Sequence, residues 1–357
     1  MKKLDWYIVK KFLGTYFFTI VLILSIAIVL DYNENMDKFT AHDAPWKAII
    51  FQYYLNYIPY FANLFSPLFV FVAVIFFTSK LAGNSEIIAM LASGMSFNRL
   101  LRPYLISATI IALFTFSLNS FIIPKSNIRR IEFRNHYIKD KETKTQNNNQ
   151  FMVEPGVVAY FNYYDKTKQT GTGFALEKFE DRKLVSRLTA QKAVYQGDYR
   201  WHITDYQIRT IDDHGETLEK GTACDSTITI APQDIIISKN DCEKMTTPQL
   251  HDYIKKQQFR GVGNIKDFEI EYHKRWAAIA TSFILTLIGV SLSSRKVKGG
   301  MGVNIGIGLV LSFIYILFQT VSSTFAVSGE MSVWLAVWLP NIVFAVIAYY
   351  LYLKAPR

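Results

Sequence analysis

Six long apolar stretches leave this chain one architecture, a set of helices that crosses a membrane six times. They occupy residues 6–30, about 51–77, 103–123, 276–292, 301 to about 323, and 333–353, with a polar block of about 150 residues between the third and the fourth. At ~1.5 Å per residue, each is long enough as a helix to cross a hydrocarbon core of roughly 30 Å. The flanking charges orient the spans. With the N-terminus inside, one side collects Lys2, Lys3, Lys10, Lys11, Lys80, Arg99, Arg102, Arg295, Lys296, Lys298, Lys354 and Arg357. The short loops on the other side hold Lys38 and Lys47 beside Asp31, Glu34, Asp37, Asp43 and Glu330. Short loops rich in Lys and Arg stay cytoplasmic, so both termini are expected inside and the polar block outside.

At 357 residues the chain has the length of two soluble domains, but 50% hydrophobic and 15% aromatic content in long uncharged runs places it in the membrane class. A net charge of +10 would point to nucleic acid in a soluble protein. Here the basic residues cluster at inner membrane edges, where anionic lipid and the insertion rule account for them, so no nucleic acid partner is expected. The basic start and apolar run of the N-terminus resemble a signal peptide. The run is too long, however, and no small-residue cleavage pattern precedes Asp31-Tyr32-Asn33-Glu34, so it is expected to stay as the first span.

Residues 46–77 are too long for one straight span and are interrupted by Pro59 and Pro67, which predicts a kinked second helix with an outer extension. The third span is expected to end at Pro124. A helical stalk follows, with Ile128, Ile131 and Phe133 among Arg129, Arg130 and Arg134, ending in the Gln/Asn run of residues 146–150. From Phe151 the period changes to two. Short strand-like runs at residues 157–161, 173–176, 184–188, 193–195, 201–211 and 227–230 are separated by turn clusters. They predict an inserted all-β domain of antiparallel sandwich, barrel-like or jelly-roll form. A helix over residues 249–259 follows, with Thr247-Pro248 at its start and Gly261 after its end. The expected domains are thus 1–123 with three spans, 124–270 with the β domain and its stalks, and 271–357 with three spans.

Catalytic signatures are absent: no Walker-type loop, no Gly-x-Ser-x-Gly elbow, no His-Glu-x-x-His. No cofactor or metal is expected, and energy for any driven work must come from a partner. Cys224 and Cys242 both fall in the outer block, where they form a candidate disulfide or remain two thiols. The strongest local signal is the inner loop between spans two and three. Asn84 or Ser85 is expected to cap a short helix over about 84–94, Glu86 sits in its first turn, and Gly94 ends it. Ile87, Met90 and Leu91 share one face at i, i+3, i+4, which reads as a helix that docks into a groove. The alternative, a helix lying on lipid, is disfavoured because no Lys or Arg stands between Lys80 and Arg99. In span five Gly302 and Gly306 form a Gly-x-x-x-Gly helix-packing pattern, with Gly300, Asn304 and Gly308 at the same interval. Asn56, Asn63 and Asn119 lie in or near spans and read as structural hydrogen bonders.

Several segments in order carry a resemblance: residues 4–10 before span one, the loop at 85–96, the re-entry segment Glu271-Tyr272-His273-Lys274-Arg275-Trp276-Ala277, residues 288–292, and Trp338-Leu339-Pro340-Asn341. The chain resembles the LptF/LptG permease family of the bacterial lipopolysaccharide exporter over nearly its whole length, and its start is closer to the LptG side. The resemblance implies a non-enzymatic transport subunit of the inner membrane with a periplasmic jelly-roll-like domain. Its partners would be an LptB-like ATPase dimer, an LptF-like paralogous permease, an LptC-like single-span protein and a periplasmic bridge, with lipopolysaccharide as cargo. Glu86 would be the acidic contact to the ATPase, supported by Ile87, Met90 and Leu91. At the outer end of span one, where many LptG members carry lysines for lipid phosphates, the first position reads Asp31 and Lys38 keeps its charge. Ile23, Ile26 and Leu30 are the candidate lipid-chamber residues. The rival readings are the LptF-type role and a membrane-anchored periplasmic scaffold or sensor, neither of which the sequence removes.

Overall fold

The computed structural model describes residues 3–138, 145–181, 183–212, 215–235, 239–259, 265–295 and 300–355; Lys2, Gly261, Lys296, Lys298 and Arg357 lie outside the described residues. The helical order is α1 (Lys3–Ala41), α2 (Trp46–Ala48), a π-helical turn (Ile49–Tyr54), α3 (Leu55–Leu64), α4 (Ser66–Gly83), α5 (Glu86–Ala92), α6 (Phe97–Ser117), a second π turn (Leu118–Ile122) and α7 (Ile123–Tyr137). After six strands come α8 (Pro232–Ile235), a 3-10 turn (Lys239–Lys244), α9 (Thr247–Phe259), α10 (Lys266–Ser293), α11 (Gly300–Ser328) and α12 (Val333–Leu353). Six helices among the described residues are long and apolar enough to cross a membrane: α1, α4, the continuous rod Phe97–Tyr137, α10, α11 and α12.

The chain forms two compact units. The first comprises Met1–Ile138, Glu243–Pro248 and Lys266–Arg357; the second comprises Lys139–Cys242 and Gln249–Ile265. The stalk after Pro124 and the first turn of α10 therefore belong to the membrane unit, and the expected boundaries at 123/124 and 270/271 move to 138/139 and 265/266.

Prolines and π turns shape the membrane unit. The helix before α4 breaks at Phe65 (φ −97°, ψ 10°), because Pro67 has no N–H for the Asn63 carbonyl and its ring crowds that carbonyl, so Pro67 sits in the first turn of a new helix. Pro59, by contrast, stays inside α3. Asn56 Nδ2 donates to the carbonyls of Phe51 (3.1 Å) and Gln52 (2.9 Å), tying its side chain to the π turn. On α12, Pro340 has no N–H for the Ala336 carbonyl one turn back, and Ser322 Oγ on α11 donates to that carbonyl at 2.6 Å. Asn341, the next residue, accepts from the Tyr315 hydroxyl (2.8 Å) and donates to the Ala277 carbonyl (3.0 Å), joining α10, α11 and α12 in a bilayer interior that offers no water.

In the β unit the strands are β1 (Thr145–Glu154), β2 (Val157–Asp165), β3 (Thr170–Glu180), β4 (Lys183–Gly197), β5 (Arg200–Asp212) and β6 (Gly215–Thr227), one antiparallel sheet in the order β1-β2-β3-β4-β5-β6. The jelly-roll-like expectation holds as an all-β antiparallel insertion between the third and fourth spans, and its connections are those of a meander. Phe151, Phe161, Phe174 and Trp201 cluster on one face, with Phe161 and Trp201 centroids 5.5 Å apart. A Cβ at Gly171 would lie 2.2 Å from the Phe161 ring, so only glycine allows that ring to lie across the neighbouring strand. Three expectations change. Residues 184–188 and 193–195 form the single strand β4; the polar run at 146–150 is part of β1; and residues 228–230 leave the sheet and cover its face, where the Ile230 carbonyl accepts from Trp201 Nε1 at 3.0 Å.

Candidate functional site

The short helix α5 is built much as its residues dictate, with one inversion. Ser85 takes the left-handed conformation (φ 59°), and Gly94 (φ 85°) terminates the turn after the helix. Neither Asn84 nor Ser85 caps the helix through its side chain; Asn84 Nδ2 donates instead to Glu86 Oε1 at 3.1 Å. Seven residues cannot hold a helix alone in water. The anchor is Ile87, fully buried in the core of the membrane unit, with Met90 and Leu91 packed against the same core. The apolar face that reads as a docking surface is thus occupied by the chain's own helices. The opposite side is what α5 presents: Glu86 half-exposed, Ile88 49% exposed, and Ala89, Ala92 and Ser93 open. The loop is pinned to α1 by a bidentate pair, Arg99 Nη1 and Nη2 each 2.8 Å from an Asp5 carboxylate oxygen.

At the opposite ends of the spans, where the chain leaves α7 for the strands and re-enters through α10, buried charge concentrates. Arg130 on α7 donates to Asn127 Oδ1 (3.0 Å) and Glu243 Oε2 (3.1 Å) and stacks 3.6 Å from the Tyr60 ring centroid. Arg275 on α10 donates to Glu271 Oε1 (3.0 Å), the Met245 carbonyl (2.9 Å) and Thr247 Oγ1 (3.1 Å); Thr247 Oγ1 donates to Ser120 Oγ at 2.9 Å. Both guanidiniums are buried and each is matched by a carboxylate, as buried charge requires. They clamp residues 243–248 to α7 and α10. Beside the clamp lies a cavity of about 240 Å3, walled by α3, α4, α6, α7, α10 and α11 and lined by Tyr60, Asn63, Asn119, Lys274, Ser282 and Gln319 among others. Asn63 and Asn119 exchange reciprocal amide hydrogen bonds of 2.8 Å across it. None of these residues except the asparagines stood out as a site in the sequence. The available signal was the Glu271–Arg275 spacing of one helical turn inside the re-entry segment. Among the described residues no group of three or more His, Cys, Asp or Glu side chains is placed to hold a metal.

Residues 6–354 match the family model described as lipopolysaccharide export system permease LptF/LptG. The chain belongs to the LptF/LptG family. No curated protein sequence matches it. As an LptF/LptG permease it is a multi-pass membrane protein and a lipopolysaccharide-export transport subunit, not an enzyme.

In this permease the outward faces of α1 and α11 are long apolar surfaces. Ile26 (54%) and Leu30 (64%) are exposed on α1, while Ile23, at i, i+3, i+7 spacing with them on the same side of the helix, is partly buried against the core. Lys38 is exposed, with Nζ 3.5 Å from Asn35 Oδ1; Asp31 accepts from the Tyr53 (3.3 Å) and Tyr54 (3.2 Å) hydroxyls. The glycine pattern of α11 also sorts differently from expectation. Gly302 and Gly306 face open space, whereas Gly308 packs on Ile75 and Phe71, and Asn304 Nδ2 donates to Ser79 Oγ at 3.0 Å. Within the chain, close helix approach is made by Gly308 on α11 and Gly289 on α10. No disulfide joins Cys224 and Cys242. Cys224 pairs with Ile203 in the sheet register and packs partly against the sheet's apolar cluster, while Cys242 is buried in the 3-10 turn. Burial, then the adjacent Asp225 carboxylate, pushes the Cys224 thiol up from its ordinary range.

Proposed function

We propose that the chain is the LptG-type permease subunit of an inner-membrane exporter, taking lipopolysaccharide from the outer leaflet and passing it to a periplasmic bridge. An LptB-like ATPase dimer docks under α5, an LptF-like paralogue completes the chamber, and an LptC-like single-span protein receives the cargo. The observation that carries this reading is the two-sided build of α5. Its inner face, Ile87 with Met90 and Leu91, is locked into the membrane core, and its outer face offers a carboxylate and an isoleucine. A push on Glu86 and Ile88 therefore moves core side chains rather than a hinged loop, since packed cores transmit displacement.

From α5 the displacement reaches α4, which packs against α1, α10 and α11. Lipid extraction has to overcome about 0.8 kcal/mol for each methylene withdrawn from the bilayer, so a collapsing apolar chamber is needed in addition to headgroup contacts. The outward faces of α1 and α11 supply apolar wall. The paralogous LptF role retains one supporting observation, the acidic Asp31 where LptG members carry lysine.

Co-expression with the ATPase tests the proposal. Wild-type chain is expected to co-purify with it, and Glu86→Ala to lose coupled lipid release by about tenfold, the range of one charge-assisted contact, while folding and inserting normally. Failure of the wild type to retain an ATPase would favour a scaffold. Undiminished release in Glu86→Ala would remove Glu86 from the coupling contact.

A further inference from the structure

We infer that the cavity between α3, α4, α6, α7, α10 and α11 is a binding site for a phosphate group, with Lys274 as its cation. The wall holds two carboxylates, Glu243 and Glu271, and each already faces a guanidinium, Arg130 at 3.1 Å and Arg275 at 3.0 Å. Lys274 is the remaining charge of the lining, and it has no ion pair or hydrogen bond among the described residues. Among the described residues the lining therefore carries one uncompensated positive charge, on a half-buried side chain, and an anionic ligand would match it. Gln319, on the facing helix α11, likewise has no side-chain partner among the described residues and supplies a neutral donor.

The lining mixes apolar side chains with polar ones although the helices are embedded in lipid: Asn119, Thr281 and Ser282 are all buried there. Polar and ionisable groups at such depth face a ligand path or cavity rather than hydrocarbon. The size decides what part of a ligand enters. About 240 Å3 lies below the ~300–1,000 Å3 of pockets that enclose a drug-sized molecule, so a headgroup fits and a multi-acyl lipid does not. Acyl chains would remain outside. The proposal rests on the permease reading only for the identity of the natural cargo, since the site chemistry is the cavity's own.

Native mass spectrometry of the full chain in detergent, with phosphatidic acid and phosphatidylcholine of identical acyl chains as probes, tests it. Wild type is expected to retain phosphatidic acid, whose phosphate monoester is unmasked, at least about tenfold better than Lys274→Gln, the worth of one charge-assisted contact. Lys274→Arg should retain it, Gln319→Leu should weaken it several-fold without changing charge, and phosphatidylcholine should bind weakly throughout. Gln319→Leu keeps the test open if Lys274→Gln does not fold. Displacement by equimolar inorganic phosphate would assign the site to free phosphate, and resistance to it would assign the site to a lipid headgroup. Equal retention of phosphatidic acid by wild type and a folded Lys274→Gln, or no preference over phosphatidylcholine, overturns the site. No ATPase is present in this experiment, so it can fail or succeed independently of the coupling test.

Discussion

Helices α1 and α4 are both uninterrupted apolar runs, yet only 11% of the most apolar window of α1 is buried inside the chain against 72% of that of α4. The more hydropathic of the two is the more exposed. In water that ordering would be perverse; in a bilayer the lipid is as apolar as leucine, so hydrophobicity inserts a helix without deciding what it packs on. What places α4 at the centre is small and polar detail. Gly289 and Gly308 let α10 and α11 approach its side chains, Thr78 Oγ1 donates to the Tyr104 hydroxyl on α6 at 3.1 Å, and Ser79 accepts from Asn304 on α11. Helix α1 keeps a lipid- or partner-ready surface instead.

The sharpest way to break this contrast is to crowd the centre. A Cβ at Gly289 would stand 2.2 Å from Val74 Cγ1, and a buried β-branched valine has little room to turn. Gly289→Ala is therefore expected to cost about 2–3 kcal/mol, read as a fall in the thermal unfolding midpoint of detergent-solubilised protein. A midpoint equal to wild type would mean that α4 is not the packed hub. Next in size comes the outward face of α1. Ile26→Asn and Leu30→Asn should leave that midpoint unchanged but reduce lipopolysaccharide export by about tenfold, the cost of one unmatched polar group in an apolar wall. Lys38→Ala should reduce it less. Photocrosslinkers at Ile26 and Leu30 should capture glycolipid or a paralogue, and capture of this chain's own helices would put the chamber elsewhere.

A smaller effect separates the two glycine rows of α11. Gly302→Ala and Gly306→Ala meet open space and should leave the isolated chain unchanged or stabilise it by up to about 1 kcal/mol through helix propensity. Loss of stability comparable to Gly289→Ala would show that they pack within the chain after all. The smallest expected effect lies in the β unit. Unreduced, unfolded protein should yield two alkylatable thiols by mass spectrometry. In the folded protein the raised Cys224 pKa should slow alkylation at neutral pH, with the rate climbing as pH passes the ordinary thiol range. Because the folded pKa is the higher one, the associated stability is present below the unfolded thiol pKa and is lost as pH rises through the folded value.

How far the candidate site was legible depends on how local its cause is. The position of α5 and its stop at Gly94 were readable in place, but the expected side-chain cap from Asn84 or Ser85 does not form, and which face of α5 is free was not legible. Ile87 at i, Met90 at i+3 and Leu91 at i+4 describe an apolar stripe equally well whether it meets a partner or the chain's own core. The strand β6 was missed because residues 215–227 are mostly polar and exposed at the sheet edge, so alternation gave no signal; pairing with β5, from Arg200 opposite Thr227 to Asp212 opposite Gly215, makes it a strand. The Gln/Asn run of β1 was missed for a related reason, since its pairing with β2 is a property of both strands.

The sequence by itself determined the six spans, the β insertion between the third and fourth, the family and, although the rod Phe97–Tyr137 runs on through Pro124, where an end was expected, the break near Pro67. Each of these is a sum over neighbouring residues: hydropathy across a span, period along a strand, the missing N–H of a proline. Only the tertiary structure decided that Arg130 meets Glu243 across 113 residues, that Asn304 rather than Gly302 faces α4, and that Lys274 lines a cavity with no partner among the described residues. Those outcomes are joint properties of distant segments. Lipid satisfies every apolar face about equally well, so close fit and polar pairing between helices make the choice, and neither is present in any one segment read alone.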